Sequence, residues 1–379
     1  MTNSPLVDIE PSVLKWLIDS SGWNYDELAK RLGTNTENIE KFLNKEKKPT
    51  YNQLEEMSLL FKRPVALFLL SKPLEEKPKP KDFRMIPDKL NKFDKKTLLV
   101  MRKARNLQEL SKELALNISN ETKCKIQKYT IQDNPKEIGK EYREKFELNE
   151  IKQRQFKNSY DLFRDLREIL EDKNIFVFQF SMPIEDARGF VFCDELPFVI
   201  VVNSKDKIEA RIFTMMHEFA HILLRESVID LPSASKPNNN NTEKWCNEFA
   251  SNFLLPENFN EIIRNTEELT QRKTLNSLSK RYKISKGMLL YNMYKLNYIS
   301  NSEYNEKLNQ YTEETITSKT SKKGGGITLE KKRVLEMGNN FISLVADNYD
   351  KKYITYSDAL GYLSIKSKRF NKLLARVKK

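Results

Sequence analysis

The chain has 379 residues, with 66 Lys or Arg against 53 Asp or Glu, three cysteines and only two histidines. That length allows two or three compact domains and at least one real core. Cys124, Cys193 and Cys246 are odd in number and far apart, which excludes a disulfide-stapled scaffold and points to free thiols in the cytoplasm. No apolar run reaches the ~18 residues of a membrane span, and the N-terminus lacks the basic start and apolar core of a secretory signal, so no membrane partner is expected.

The net charge of +13 is unevenly spread. Residues 1–73 hold ten basic and ten acidic side chains, whereas 319–379 hold fifteen basic and five acidic ones, so the basic character is C-terminal.

Residues 11–70 read as a compact helical unit. Apolar positions recur at helical spacing in Val13, Leu14, Leu17 and Ile18, in Leu28 and Leu32, in Ile39, Phe42 and Leu43, and in Leu54, Met57, Leu59 and Leu60. Gly33 closes one helix and Thr34 or Thr36 can cap the next, the pattern of a helix-turn-helix. Pro73, Pro78 and Pro80 then break a charged stretch that reads as a linker. A polar helical region follows, from about Asp94 to Glu147.

From about residue 159 the pattern changes. A helix over 160–171 leads into three β-rich runs, NIFVFQF, GFVFC and PFVIVV, with Asp194 and Glu195 at the turn between the last two. An apolar helix is expected over 207–225. An Asn-rich loop separates it from a further helix over 243–255, stopped by Pro256. Helices continue to about Ile299, and Gly324 to Gly326 hinge a last helical segment.

The helix over 207–225 carries the chemistry. MMHEFAHIL spends both histidines of the chain on the pattern His-Glu-x-x-His. Four residues apart on a helix, His217 and His221 share one face and can reach one tetrahedral ion. Glu218 stands where a general base would take a proton from water. A catalytic zinc needs a third protein ligand, and no histidine remains. Glu243, Glu248, Glu226 and Cys246 are the candidates just downstream. Glu243 opens a helix, where a carboxylate gains from exposed backbone N–H groups; Cys246 reads more simply as a small buried residue.

HEFAHILL followed by EKWCNEFASNFLLP resembles the ImmA/IrrE family of metallopeptidases. That family pairs its HExxH helix with a second helix of the form Glu-x-x-Ala-Asn-x-Phe-Ala. Glu243, Asn247, Phe249, Ala250, Leu254 and Pro256 match in order, while Cys246, Phe253 and Leu255 depart mildly. The resemblance implies that Glu243 is the third zinc ligand. LAKRLGTNTENIEKFLNKEKKPTYNQLEEMSLLFKRPVALFLL resembles the Xre-type helix-turn-helix often fused in front of this peptidase domain, KDFRM the junction after it, and the stretch from Lys331 to Leu374 the tail of long members.

What the resemblance implies is a cytoplasmic zinc endopeptidase with a minimal gluzincin core, acting on protein and typically on a helix-turn-helix repressor of a mobile element or stress response. A strand beside the cleft would pair with extended substrate, and Phe198 to Val202 is the candidate. Tyr291 is a candidate for stabilising the oxyanion.

The expected fold is mainly α with a small β-sheet (α+β). The expected organisation is a helix-turn-helix domain over 1–72, a linker over 73–92, a helical connector over 93–158, the zinc peptidase over 159–300, a linker over 301–326 and a basic helical domain over 327–379. If the N-terminal unit reads DNA, Thr36, Asn38, Lys41 and Lys45 are the candidate contacts, although Glu37 and Glu40 on the same helix oppose a polyanion. A second reading is therefore kept, a DNA-binding regulator whose peptidase domain is a sensor or scaffold with little turnover. A third is a defence or toxin-antitoxin component that cleaves a host or phage protein.

Overall fold

The computed structural model describes residues 4–75, 93–118, 126–225, 229–230, 241–319 and 327–377. Cys124, Glu226, the KDFRM junction and most of the Asn-rich loop lie outside the described residues. The fold is mainly helical with one small sheet, and the chain divides into two compact units.

The first unit holds α1 (Pro11–Ser21), α2 (Tyr25–Arg31), α3 (Thr36–Leu43), α4 (Tyr51–Phe61) and a 3-10 turn, Val65–Leu69. The first nine residues of α5 (Lys95–Ile118) also belong to it. Side-chain caps set the helix starts: Asn24 accepts from the Glu27 N–H, and Thr50 with Gln53 forms a capping box. Asn35, rather than Thr34 or Thr36, caps α3 by accepting from the Asn38 N–H. Gly33 adopts a left-handed φ of 62°, the turn that separates α2 from α3. Val13, Leu17, Leu28, Ile39, Phe42, Leu54 and Phe61 fill the core.

The second unit continues through α6 (Pro135–Lys145), α7 (Glu150–Gln155) and α8 (Ser159–Glu171) to β1 (Ile175–Phe180), β2 (Gly189–Phe192) and β3 (Phe198–Asn203). Then come α9 (Ile208–Leu224), the two-residue β4 (Ile229–Asp230) and α10 (Asn241–Leu254). Smaller helices follow, α11 (Phe259–Arg264), α12 (Arg272–Tyr282) and α13 (Lys286–Lys295), then α14 (Asn301–Lys319). The C-terminal segment contains α15 (Leu329–Met337), α16 (Asn339–Asp350), α17 (Tyr356–Tyr362), a 3-10 turn over Ser367–Arg369 and α18 (Phe370–Val377).

The sheet runs in the order β1-β3-β2-β4, with β1 and β3 parallel and β2 antiparallel to both of its neighbours. This overturns the expectation that Phe198 to Val202 offers a free edge to substrate. Both sides of β3 are taken, Ile200 pairing with Val177 on one flank and Val191 on the other. A strand with two ladder partners has no backbone groups left for a third chain.

The core of this unit draws on more of the chain than the β-rich runs and the HExxH helix suggest. Ile126, Tyr129, Ile138, Tyr142 and Phe146 pack with Phe219, Phe249 and Phe253. Residues 301–319, expected to begin a linker, form α14, whose Tyr304 stacks on Tyr294 of α13. At the other end, Phe341 of α16 meets Phe176 and Phe178 of β1 edge-on, and the Leu335 carbonyl accepts from both Arg167 and Gln179.

Candidate metal centre

α9 and α10 pack face to face, and their contact explains the local sequence. α9 is apolar on nearly all sides and is buried along most of its length, so its polar side chains must be satisfied internally. Arg225, left-handed at φ 60°, ends it, and its guanidinium donates to the Ile222 and Ile126 carbonyls. α10 approaches α6 closely at Gly139, where a Cβ would sit 2.8 Å from the Phe249 carbonyl. The far end of α10 is fixed by Arg143, which donates to the Phe253 carbonyl, and by Gln153, which donates to the Leu254 carbonyl and is held by Arg143 in turn. Burial lowers the Arg143 pKa to about 10.

Between the two helices the side chains of His217, His221 and Glu243 converge. The two Nε2 atoms lie 3.2 Å apart; Glu243 places Oε2 3.5 Å from His217 Nε2 and Oε1 3.3 Å from His221 Nε2. All three are at most 1% exposed. Donors held about 2.0–2.1 Å from a tetrahedral ion are about 3.4 Å from one another, so these separations suit a zinc-sized cation. Two imidazole nitrogens and a carboxylate are also the right chemistry for one. Burial pushes the Glu243 carboxyl pKa upward, but hydrogen bonding and charge from His217 and His221 outweigh it and hold the group well below the usual carboxylate range.

Glu218 follows His217 on α9 and is fully buried. Against it lies the backbone of β2. A Cβ at Gly189 would stand 2.5 Å from Thr214 Cγ2, 2.9 Å from the Val201 carbonyl and 3.2 Å from Glu218 Oε1. Gly189 is thus part of the wall of the site, a role that only its place at the head of the GFVFC run hinted at. On the other side Cys246, one turn beyond Glu243, sets its sulfur 3.5 Å from His221 Nδ1.

The remaining sequence candidates make other contacts. Glu248 is half-exposed and pairs with Lys136 at 3.4 Å, away from the cluster. Tyr291 meets Tyr304 edge-on and is 37% exposed. In the first unit, Thr36 donates to Asp26, Asn38 donates to Thr34 and accepts from Lys47, Lys41 pairs with Glu37, and Lys45 pairs with Glu10. Each of these candidate DNA contacts is therefore engaged within its own unit.

The HExxH helix, the second helix that supplies a carboxylate and the sheet beside them all fall within one stretch. Residues 170–294 match the family model described as IrrE N-terminal-like domain, a peptidase family. This match supports the ImmA/IrrE resemblance and a peptidase activity on protein, with His217, His221 and Glu243 able to hold the metal ion of a metallopeptidase. No curated protein and no solved structure matches the chain. None of the helices, among the described residues, is long and apolar enough to cross a membrane.

Proposed function

We propose that the protein is a zinc-dependent endopeptidase that cleaves a regulatory protein, such as a helix-turn-helix repressor, and thereby controls a mobile element, stress or defence response. The observation that carries this reading is the convergence of three buried donors at tetrahedral spacing beside a buried glutamate on the same helix. In it, His217 and His221 present Nε2 and Glu243 a carboxylate oxygen to the metal. When bound, zinc supplies Lewis-acid polarisation of the scissile carbonyl and acidifies the attacking water.

Glu218 has the protein's part of the proton transfer. Its carboxylate takes a proton from the attacking water and delivers it to the leaving amide nitrogen, which departs as an amine. Burial keeps that carboxylate out of bulk solvent, and the Gly189 backbone fixes the side on which it is packed. Cys246 faces the ring nitrogen of His221 that does not point to the metal, where a partner holds the imidazole in orientation.

The test is co-expression of the wild-type and Glu218→Gln proteins with proteome-wide mapping of new protein termini. New termini confined to cells with the wild-type protein support the endopeptidase and name its substrate. Intact regulation by a zinc-loaded Glu218→Gln protein would instead favour the DNA-binding regulator with a non-catalytic peptidase domain.

A further inference from the structure

The arrangement of α2 and α3 recurs twice in the second unit with the same spacing. In α2–α3, Leu28 and Leu32 are buried, Gly33 turns left-handed at φ 62°, and Ile39 and Phe42 are buried beyond it. In α12–α13 the equivalent positions are Leu278, Tyr282, left-handed Lys283 at φ 59° and Leu289. In α17–α18 they are Ala359, Leu363, left-handed Ser364 at φ 50°, Phe370 and Leu373. The three helix pairs therefore share the left-handed turn and the buried positions around it, except that α13 carries the part-buried Asn292 where α3 has Phe42 and α18 has Leu373.

What separates them is the face shown by the second helix. α13 is closed off, with Met288, Leu290 and Met293 buried and Tyr291 and Tyr294 packed on Tyr304. α3 exposes Glu37 and Glu40 beside its single lysine, Lys41, which is paired with Glu37, and Lys45 just beyond it is paired with Glu10. The third pair differs. Lys366 and Ser367 are exposed in the turn before α18, and Lys368, Asn371, Lys372, Ala375 and Arg376 are exposed at positions that recur in steps of one helical turn. No Asp or Glu occurs from Ala359 to Lys379. Among the described residues, no ion pair engages Lys366, Lys368, Lys372 or Arg376, whereas Arg369 is spent on Glu330 at 2.8 Å.

The start of this helix is also held firmly. Phe370 is wedged edge-on between Tyr349 and Tyr356, at 5.4 and 5.2 Å, and the Tyr356 hydroxyl lies 3.0 Å from Ser367 Oγ. A helix presented to a groove needs its N-terminal turn fixed, since those residues reach the base edges.

We propose that residues 356–377 form a helix-turn-helix unit that binds duplex DNA, with Lys366, Lys368 and Lys372 on phosphates and Asn371 directed at base edges. Lysines set register and most of the affinity, and Asn is suited to the paired donor and acceptor of adenine in the major groove. Duplex DNA is favoured over RNA because the exposed face of α18 has no aromatic ring for an unstacked base, and the deep, narrow major groove of A-form RNA shuts side chains out. The proposal does not rest on the peptidase reading.

The experiment uses the full-length protein and a fluorescent random-sequence duplex, with anisotropy followed across a salt series. The Lys368→Ala/Lys372→Ala double variant is expected to bind on the order of tens-fold more weakly, with a log-log salt slope shallower by about 2. The Lys41→Ala/Lys45→Ala variant should match the wild type. After selection of preferred sequences, Asn371→Ala should lose the preference while keeping random-duplex affinity within about twofold. No binding by the wild-type protein, loss of binding through the Lys41→Ala/Lys45→Ala variant instead, or tighter binding of RNA than of duplex DNA overturns the proposal. Lys368 and Lys372 are both exposed, so a folded variant is expected, and unchanged circular dichroism separates lost contacts from lost structure.

Discussion

The sulfur of Cys246 lies 3.5 Å from Nδ1 of His221, so the ring nitrogen turned away from the metal cluster faces a thiol. A metal-bound imidazole is commonly oriented by a carboxylate or carbonyl at that nitrogen, and loss of the partner typically weakens metal binding about 10–100-fold. A thiol is a weaker acceptor, so Cys246→Ala should lie near the lower limit, roughly tenfold. Cys246→Ser should retain most of the affinity. Competition against a chromophoric chelator measures both, and equal affinity of the Ala variant and wild type would remove the role.

Glu243 and Glu248 make a matched pair of tests. Glu243→Gln should lose stoichiometric zinc, because a neutral amide is a poor substitute for the carboxylate 3.3–3.5 Å from the two imidazoles. Glu248→Gln should leave zinc unchanged and cost at most about 1 kcal/mol, because its pair with Lys136 is solvent-exposed. Elemental analysis of the purified proteins distinguishes them, and zinc retained at wild-type stoichiometry by the Glu243 variant would count against the ligand set.

Metal removal should lower stability as well as activity. A ligand that binds only the folded state stabilises it by about 2.7 kcal/mol at a hundredfold excess over its dissociation constant. Chelation should therefore depress the melting temperature, and added zinc should restore it in the wild type but not in His217→Ala. A melting temperature indifferent to chelator and zinc would be incompatible with the cluster as a metal site.

Gly189→Ala should damage catalysis while sparing the metal. Its added methyl would lie 2.5 Å from Thr214 Cγ2 and 3.2 Å from Glu218 Oε1, so the strand or the glutamate must shift. Displacement of a reacting group by about 1 Å can cost on the order of 100-fold in rate. Thr214→Ser, which deletes the clashing methyl, should recover part of the loss. The readouts are kcat on the identified substrate and zinc content; unaltered kcat would show that Glu218 tolerates the shift.

The two halves of the metal cluster differed in how far the sequence could reveal them. His217 and His221 declare themselves by spacing on one helix, whereas Glu243 was one of four candidates until the second-helix resemblance selected it. Glu226, one of the others, lies outside the described residues. The edge assignment of Phe198 to Val202 failed for a physical reason. β1 and β3 are buried at every position, so neither alternates, and a strand without alternation carries no mark of its place in the sheet. Tyr129, Ile138, Tyr142 and Phe146 were hidden because charged neighbours dilute their stripe. The pairing of Lys41 and Lys45 with Glu37 and Glu10 depends on side-chain positions that periodicity does not report.

Residues 126–146 hold both helices of the candidate metal site from outside. The Tyr129 N–H donates to the Leu223 carbonyl at the end of α9, Arg225 donates to the Ile126 carbonyl, and the Trp245 indole of α10 donates to the Asp133 carbonyl. Tyr142 and Phe146 close over Phe219, Phe249 and Phe253. The segment that matches the family, residues 170–294, therefore leaves out side chains and carbonyls on which its two site helices rest. A fragment begun at residue 159 would carry His217, His221 and Glu243 on two helices whose aromatic flanks face water, and the smallest stable fragment is expected to begin upstream of the motif by which the peptidase is recognised.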